Sequence, residues 1–224
     1  MTRNPASAKK RVLIVDDHPM MRQGLAQLID HEPDLIASSE ADTAAQALNL
    51  IAARRPDLVL ADISLPDKNG LELLKDIQVF HPGLPVLMVS MHDETIYAER
   101  VLRAGGRGYI MKQEGGKKLM LAIRQVLAGQ IYVSERMSAR ILELFSGHRG
   151  GSAESPLEGL SDREFEIFQL VGLGKSTRDI AAALHLSVKT VEVHRANIRR
   201  KLRLNSGAEV VRYAIRWTEA RNPA

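Results

Sequence analysis

The sequence predicts two domains of different class. The first is an α/β domain with a five-stranded parallel sheet wound by helices on both faces; the second is a small all-α domain of four helices. Three observations carry this. Short apolar, β-branched runs alternate with helix-patterned segments through the first 130 residues, as a covered parallel sheet requires. A polar, Gly/Ser-rich stretch, Ser146–Pro156, interrupts the chain. Four helical patterns and no strand follow it. The 224 residues suit two small domains, and 45% hydrophobic with 26% charged residues is ordinary globular usage. Wholesale disorder and coiled coil are thereby excluded.

Each element has a local reason. Arg11–Asp16 is an apolar run, hence a strand. His18–Asp30 carries Pro19 at a helix-start position and Met21, Leu25, Leu28 and Ile29 at helical spacing. Asp34–Glu40 reads as a strand, and Thr43–Ala53 as an Ala/Leu-rich helix ended before Pro56. Asp57–Asp62 is strand, 65–70 is loop, and Leu71–Phe80 is helix. Pro85–Ser90, Glu94–Ala104, Gly108–Met111 and Lys117–Ala128 continue as strand, helix, strand, helix. Gly115-Gly116 is a poor helix start, since glycine costs about 1 kcal/mol against alanine. Ser134–Phe145 is expected as one helix within a linker spanning 131–156. In the second domain (157–224) the helices are Asp162–Leu173, Thr177–Leu184, Val188–Leu202 and Gly207–Trp217, with Ser161 and Glu164 forming a capping box.

Composition narrows the function classes. The absence of cysteine excludes a disulfide scaffold, thiolate metal sites and cysteine nucleophiles, and fits a reducing compartment. No apolar stretch approaches the roughly 18 residues of a membrane span, so a cytoplasmic chain with no membrane contact is expected. The net charge of +4 is unevenly spread. Residues 151–174 hold five acids against Arg163; residues 175–216 hold ten bases against Asp179, Glu192 and Glu209. That basic block is the footprint of a nucleic-acid-binding element.

Two constellations carry chemistry. Asp16, Asp17, Asp62, Ser90 and Lys112 all close strands, so a parallel sheet brings them to one edge, where ligands of such sheets bind. Converging carboxylates repel unless a cation joins them, and hard oxygen donors suit Mg²⁺. A carboxylate beside it can form an acyl phosphate, with the hydroxyl and ammonium holding phosphoryl oxygens. In the second constellation, 176–184 is a short helix, His185-Leu186-Ser187 a turn, and 188–202 a recognition helix capped by Ser187. Gly174-Lys175-Ser176 looks like the end of a phosphate-binding loop, but Gln169 stands where that motif needs glycine.

Residues 13–18 (LIVDDH), 57–73 (DLVLADISLPDKNGLEL), 86–90 (VLMVS) and 108–112 (GYIMK) resemble the receiver domain of two-component response regulators. Residues 160–206, with LSDRE at 160–164 and SVKTVEVH at 187–194, resemble the LuxR-type helix-turn-helix of the NarL/FixJ class. The resemblance implies a flavodoxin-like receiver joined to a DNA-binding domain, in a transcription regulator controlled by phosphorylation. It implies Asp62 as phosphoacceptor, with Ser90 and Lys112 binding the phosphoryl group. It implies Mg²⁺ held by Asp16, Asp17, Asp62 and the Ser64 carbonyl, with Ile63 as the less favoured carbonyl, and Ser90 with Tyr109 as the switch pair. On the DNA side it implies Lys175, Lys189, Thr190, Glu192, Val193, His194, Arg195, Asn197, Arg199 and Lys201, with Gly207–Trp217 as dimerisation helix. Partners would be a sensor histidine kinase, double-stranded DNA half-sites and a second copy of the chain. The receiver would catalyse only its own phosphoryl transfer and slow dephosphorylation. One departure is Gln113, where many receivers follow the lysine with proline. Two other readings remain open: a phosphohydrolase using the Asp62 acyl phosphate, and a DNA-binding protein whose receiver serves only for dimerisation.

Overall fold

The computed structural model describes residues 8–145 and 156–220. The chain divides into two compact units, Met1–Gly147 and His148–Ala224. In the first, five strands alternate with helices: β1 (Lys10–Val15), α1 (Pro19–Asp30), β2 (Leu35–Ala41), α2 (Ala44–Arg54), β3 (Leu58–Ala61), α3 (Gly70–Phe80), β4 (Val86–Ser90), α4 (Glu94–Arg103), β5 (Gly108–Met111) and α5 (Gly116–Leu127). A further helix, α6 (Glu135–Phe145), follows. The sheet order is β2-β1-β3-β4-β5, and every strand pair is parallel. The order reverses between β1 and β3, the place where a doubly wound sheet opens a crevice beyond its strand ends.

Burial explains why the strands are continuous apolar runs. From Val12 to Val15 no side chain of β1 is more than 1% exposed, and β3 is buried throughout. On one face Val12, Ile14, Leu58, Leu60, Leu87, Val89 and Ile110 pack with Leu25 and Ile29 of α1 and Leu119 and Ile123 of α5. Each fully buried side chain of this size contributes about 1.5–3 kcal/mol.

Caps set the helix starts. Thr43 accepts from the Gln46 amide, Asn69 from Leu71 and Asp93 from Thr95. Asp67, in the loop after β3, accepts from the Ala44 and Ala45 amides at 2.9 and 3.0 Å. It thus ties that loop to the start of α2. Helix α5 begins at Gly116, one residue earlier than the pattern predicts, although the glycine pair disfavours it. Gly115, at φ +79°, turns the chain in without a side-chain cap. The buried face of Leu119, Met120, Ile123 and Val126 outweighs the poor start.

The first unit also runs past residue 130, where the sequence placed the linker. Tyr132 forms a parallel bridge to Gly108, and Met137 of α6 is 1% exposed. Apolar burial and strand pairing attach 131–145 to the α/β unit. The Gly/Ser-rich stretch from 146 to 155 lies outside the described residues. Among the described residues of the second unit, a 3-10 turn (Pro156–Gly159) is followed by four α-helices: α7 (Asp162–Gly172), α8 (Thr177–Ala183), α9 (Val188–Lys201) and α10 (Gly207–Glu219). Phe165 and Phe168 meet Trp217 edge-on at 5.6 and 5.8 Å, joining α7 to α10.

Gly70 is the tightest point near the strand ends. A Cβ there would stand 2.0 Å from the Asp62 carbonyl oxygen, while the Gly70 amide donates to the Ile63 carbonyl at 2.7 Å. Gly70→Ala is expected to destabilise the α/β unit by about 1–3 kcal/mol, measured as a lowered urea midpoint with an unchanged slope.

Candidate functional site

The parallel sheet carries out the predicted convergence. Asp16 follows β1, Asp62 follows β3, Ser90 ends β4 and Lys112 follows β5. The Lys112 ammonium lies 2.6 Å from Asp16 Oδ2 and 2.7 Å from Asp62 Oδ2, and all three side chains are at most 5% exposed. Asp62 Oδ1 accepts from the Ile63 amide at 2.7 Å, and the Ser64 amide also bonds to the carboxylate. Asp16 Oδ1 accepts from the His18 amide at 2.9 Å, and His18 Nδ1 lies 2.6 Å from Asp17 Oδ1. One donor atom each from Asp16, Asp17, His18 and Asp62 falls within 4.8 Å of the others. His18 was not anticipated. Its signal was only adjacency to the paired acids.

The electrostatics follow from burial and this one lysine. Burial pushes the Asp62 carboxyl above its ordinary range; Lys112 opposes that and Asp16 adds to it. Burial alone would lower Lys112, but Asp62 and Asp16 hold it above the usual lysine value, so it stays cationic. Asp62 is therefore a desolvated carboxylate whose charge is held in place by a neighbouring cation. Such an oxygen is a poised nucleophile toward an electrophile that brings its own positive partner.

Ser90 and Tyr109 meet at the other side of the pocket, and both are fully buried. The Tyr109 ring is turned inward. Its hydroxyl donates to the His92 carbonyl at 2.7 Å, and the His92 amide donates to Ser90 Oγ at 3.3 Å. Burial raises the Tyr109 phenol, which stays protonated and keeps donating. The His92 ring lies 3.1 Å from Ser64 Oγ and 5.0 Å from the Tyr97 ring centroid. His92 thus links the loops after β3 and β4, a role that only the tertiary fold reveals.

In the second unit, the predicted DNA-side residues, Lys175 before α8 and the others on α9, divide in two. Lys175, Lys189, Glu192, Val193 and Arg199 are exposed, Val193 at 53%. Others are engaged inside the unit. Thr190 Oγ1 bonds to the capping Ser187 at 2.7 Å, and Arg195 donates to Thr177 Oγ1 at 2.8 Å, fastening α9 to α8. Asn197 Oδ1 accepts from Arg200 at 3.1 Å, and Lys201 bonds Glu164 Oε2 at 2.6 Å. His194 is half-buried. Valine and glutamate exposed at the start of such a helix are the residue types that read a thymine methyl and a cytosine amino group.

Comparison with known proteins agrees with this division. Residues 12–124 match the response regulator receiver domain, and residues 158–214 match bacterial regulatory proteins of the luxR family. The oxygen regulatory protein NreC of Staphylococcus haemolyticus is 33% identical over 210 residues, covering 92% of this chain and 97% of that one.

The chain belongs to the response regulators with a LuxR-type DNA-binding domain.

Solved response regulators share the architecture. A LuxR-family regulator from Aurantimonas sp. SI85-9A1 is 31% identical, with a TM-score of 0.58, and matches 62% of this chain and 99% of that one. RcsB of Salmonella enterica serovar Typhimurium, solved bound to promoter rprA with the phosphomimetic BeF3−, matches 92% of this chain and 98% of its own. Its TM-score is 0.60 at 23% identity, a likeness of fold. As a family member this response regulator is a phosphorylation-controlled transcription regulator and not a conventional enzyme. Among the described residues no helix is long and apolar enough to cross a membrane.

Within the regulator's DNA-binding unit, Glu164 is the central brace. Burial alone would raise its carboxyl; Lys201 and the Ser161 amide outweigh that and hold it below its ordinary 4.5. A carboxylate lowered on folding adds stability that is complete above its unfolded value and disappears as pH falls through the folded one. Trp217 is the only tryptophan and lies in this unit. The unit's unfolding transition is expected to weaken below pH 4.5, and Glu164→Gln to reduce that pH dependence, leaving the share of Asp179, at a cost of about 1 kcal/mol. Denaturant titrations followed by Trp217 fluorescence at a series of pH values measure both.

Proposed function

We propose that Asp62 accepts a phosphoryl group from a phosphohistidine on a sensor histidine kinase, and that this controls dimerisation and DNA binding. The observation that carries the reading is the buried Lys112 ammonium shared by Asp16 and Asp62, beside a third carboxylate, on the sheet edge where ligands sit.

The donor set fits Mg²⁺. The carboxylates of Asp16, Asp17 and Asp62 are hard oxygens that converge within 4.8 Å, and Asp17 remains partly open to solvent for bound waters. The Ser64 carbonyl is the further protein donor in this reading. When bound, Mg²⁺ supplies charge neutralisation for the arriving phosphoryl oxygens. The remaining work belongs to the chain. Asp62 attacks phosphorus in line as the phosphorus–nitrogen bond to the kinase histidine breaks, leaving an acyl phosphate and a free imidazole. The Ile63 amide keeps the carboxylate oriented. Lys112 passes from carboxylate to phosphoryl oxygen, and the Ser90 hydroxyl donates to another. That fixes Ser90 at the phosphoryl group and favours the inward position that the Tyr109 ring already holds behind it.

In the second unit, exposed Lys175, Lys189 and Arg199 are positioned for phosphates, Glu192 and Val193 for base edges, and α10 for pairing with a second copy on adjacent half-sites. Arg195, Asn197, Thr190 and Lys201 would meet DNA while bracing the unit. His194 serves a phosphate contact. The NreC relative and the promoter-bound RcsB neighbour favour this reading, in a cytoplasmic protein.

Selection of bound DNA with and without beryllofluoride and Mg²⁺ tests the switch. Occupancy and dimer fraction are expected to rise together with beryllofluoride, and not in Asp62→Asn; equal values in both arms would overturn the proposal. A second measurement separates the two DNA roles. Lys189→Ala should weaken all sequences and reduce the salt slope by about one unit, while Glu192→Ala should relax base preference by about 1–3 kcal/mol. Identical selected sequences for wild type and Glu192→Ala would remove Glu192 from base reading.

A further inference from the structure

Beyond β5 the chain does something that its composition gives no reason to expect. Residues 130–134 return along the open edge of β5 as a short strap. The Tyr109 amide donates to the Tyr132 carbonyl at 2.9 Å, and the Tyr132 amide donates to the Arg107 carbonyl at 3.0 Å. The residue between those two donors and acceptors is Gly108. A Cβ at Gly108 would lie 2.5 Å from the Tyr132 carbonyl oxygen, so only glycine admits the strap this closely. At its far end the strap is held a second time. Glu94, 8% exposed in the first turn of α4, accepts from the Ser134 amide at 2.7 Å. Ser134 then caps α6 through the Met137 amide at 3.1 Å, and Met137 is buried.

These ties land on β5, which carries Tyr109, and on the first turn of α4, which follows the loop after Ser90. Tyr109 itself pairs with the strap through its backbone. Glu94 begins the helix that follows the β4 loop, and that loop supplies the His92 carbonyl accepting the Tyr109 hydroxyl. Turning the Tyr109 ring outward breaks that hydroxyl bond. The strap clips the β5 edge to the first turn of α4, so it fixes the backbone on both sides of that hydroxyl bond.

We propose that residues 130–134 form a strap that holds Tyr109 inward, with Gly108 and Glu94 as its positioning residues. The strap leads directly into α6 and the chain beyond, so the state of the phosphoryl pocket reaches the connection to the DNA-binding unit through two backbone bonds and one carboxylate. This rests on Tyr109 being the switch residue; it does not require Asp62 to be the acceptor. A phosphoryl group that favours the inward ring tightens the strap, and a loosened strap frees the ring.

The full chain labelled with 3-fluorotyrosine tests this, its four tyrosines giving four fluorine signals. Tyr109→Phe assigns the one that matters. Ser134→Pro removes the donor to Glu94, Glu94→Ala removes the acceptor, and Ser134→Ala keeps the amide as control. Amide exchange at Tyr132 reports strap attachment. In Ser134→Pro and Glu94→Ala, Tyr132 exchange is expected to rise at least about tenfold, with the Tyr109 signal moving toward its solvent-exposed position; Ser134→Ala should leave the Tyr109 signal unchanged. A detached strap with an unmoved Tyr109 signal overturns the proposal. So does a strap that stays attached in both variants. In the wild type, beryllofluoride with Mg²⁺ should slow exchange at Tyr132 and Ser134; a response at the Ile63 amide with none at the strap also overturns it. Absence of any response at Ile63 counts against the Asp62 reading instead, and the Ser134→Pro comparison still decides the strap.

Discussion

The first unit depends on one buried cation. Lys112 stands between Asp16 and Asp62 at contact distance, with all three side chains buried. Two desolvated carboxylates that close repel each other, and a lone buried charge costs several kcal/mol. The lysine makes the arrangement tenable while leaving it incomplete. Three carboxylates converge and one ammonium answers them, so the pocket keeps a surplus of negative charge. A divalent cation and a phosphoryl oxygen are complementary to that surplus in turn. The neighbouring features serve the same geometry. Gly70 lets the chain fold back against the Asp62 carbonyl, and Asp67 pins the returning loop to the start of α2.

What could be read from the sequence was whatever is local or periodic. The strands announced themselves because both faces of a parallel sheet are covered, which makes Val12–Val15 and Leu58–Ala61 continuous apolar runs. The edge cluster was legible because the parallel order turns strand ends into one place: Asp16, Asp62, Ser90 and Lys112 could be assembled without coordinates. Its partners were less so. His18 and His92 join the pocket through loop geometry, and nothing in their spacing foretold it. The strap was illegible for a similar reason. Tyr132 pairs with an edge strand that exists only once the sheet is complete, and the clue, Gly108, looked like an ordinary strand glycine. The start of α5 at Gly116 shows tertiary burial overriding a local preference.

The second unit has the opposite character. Ser161 with Glu164, and Ser176 with Asp179, are capping boxes written within four residues, and Ser187 caps α9 in the same local way. The basic block was equally plain. Its internal economy was not: Arg195 and Lys201 look like free cations in the sequence, yet one holds Thr177 of α8 and the other holds Glu164 of α7. Charge along a helix states that a surface is basic. Which bases remain available depends on what the neighbouring helices offer them.

The contribution of Lys112 from the last strand has a consequence for the order in which the protein becomes competent. The acids are in place after sixty-two residues of synthesis, but their counter-charge arrives fifty residues later. A chain ending before β5 would lack the ammonium that answers the paired acids, and the outer edge of β4 would stay unpaired. The receiving pocket is therefore complete in sequence only at residue 112, midway along the 224 residues, and the DNA-binding helices, local in sequence, come after it. The chain thus acquires the means of being regulated before it acquires the activity that needs regulating.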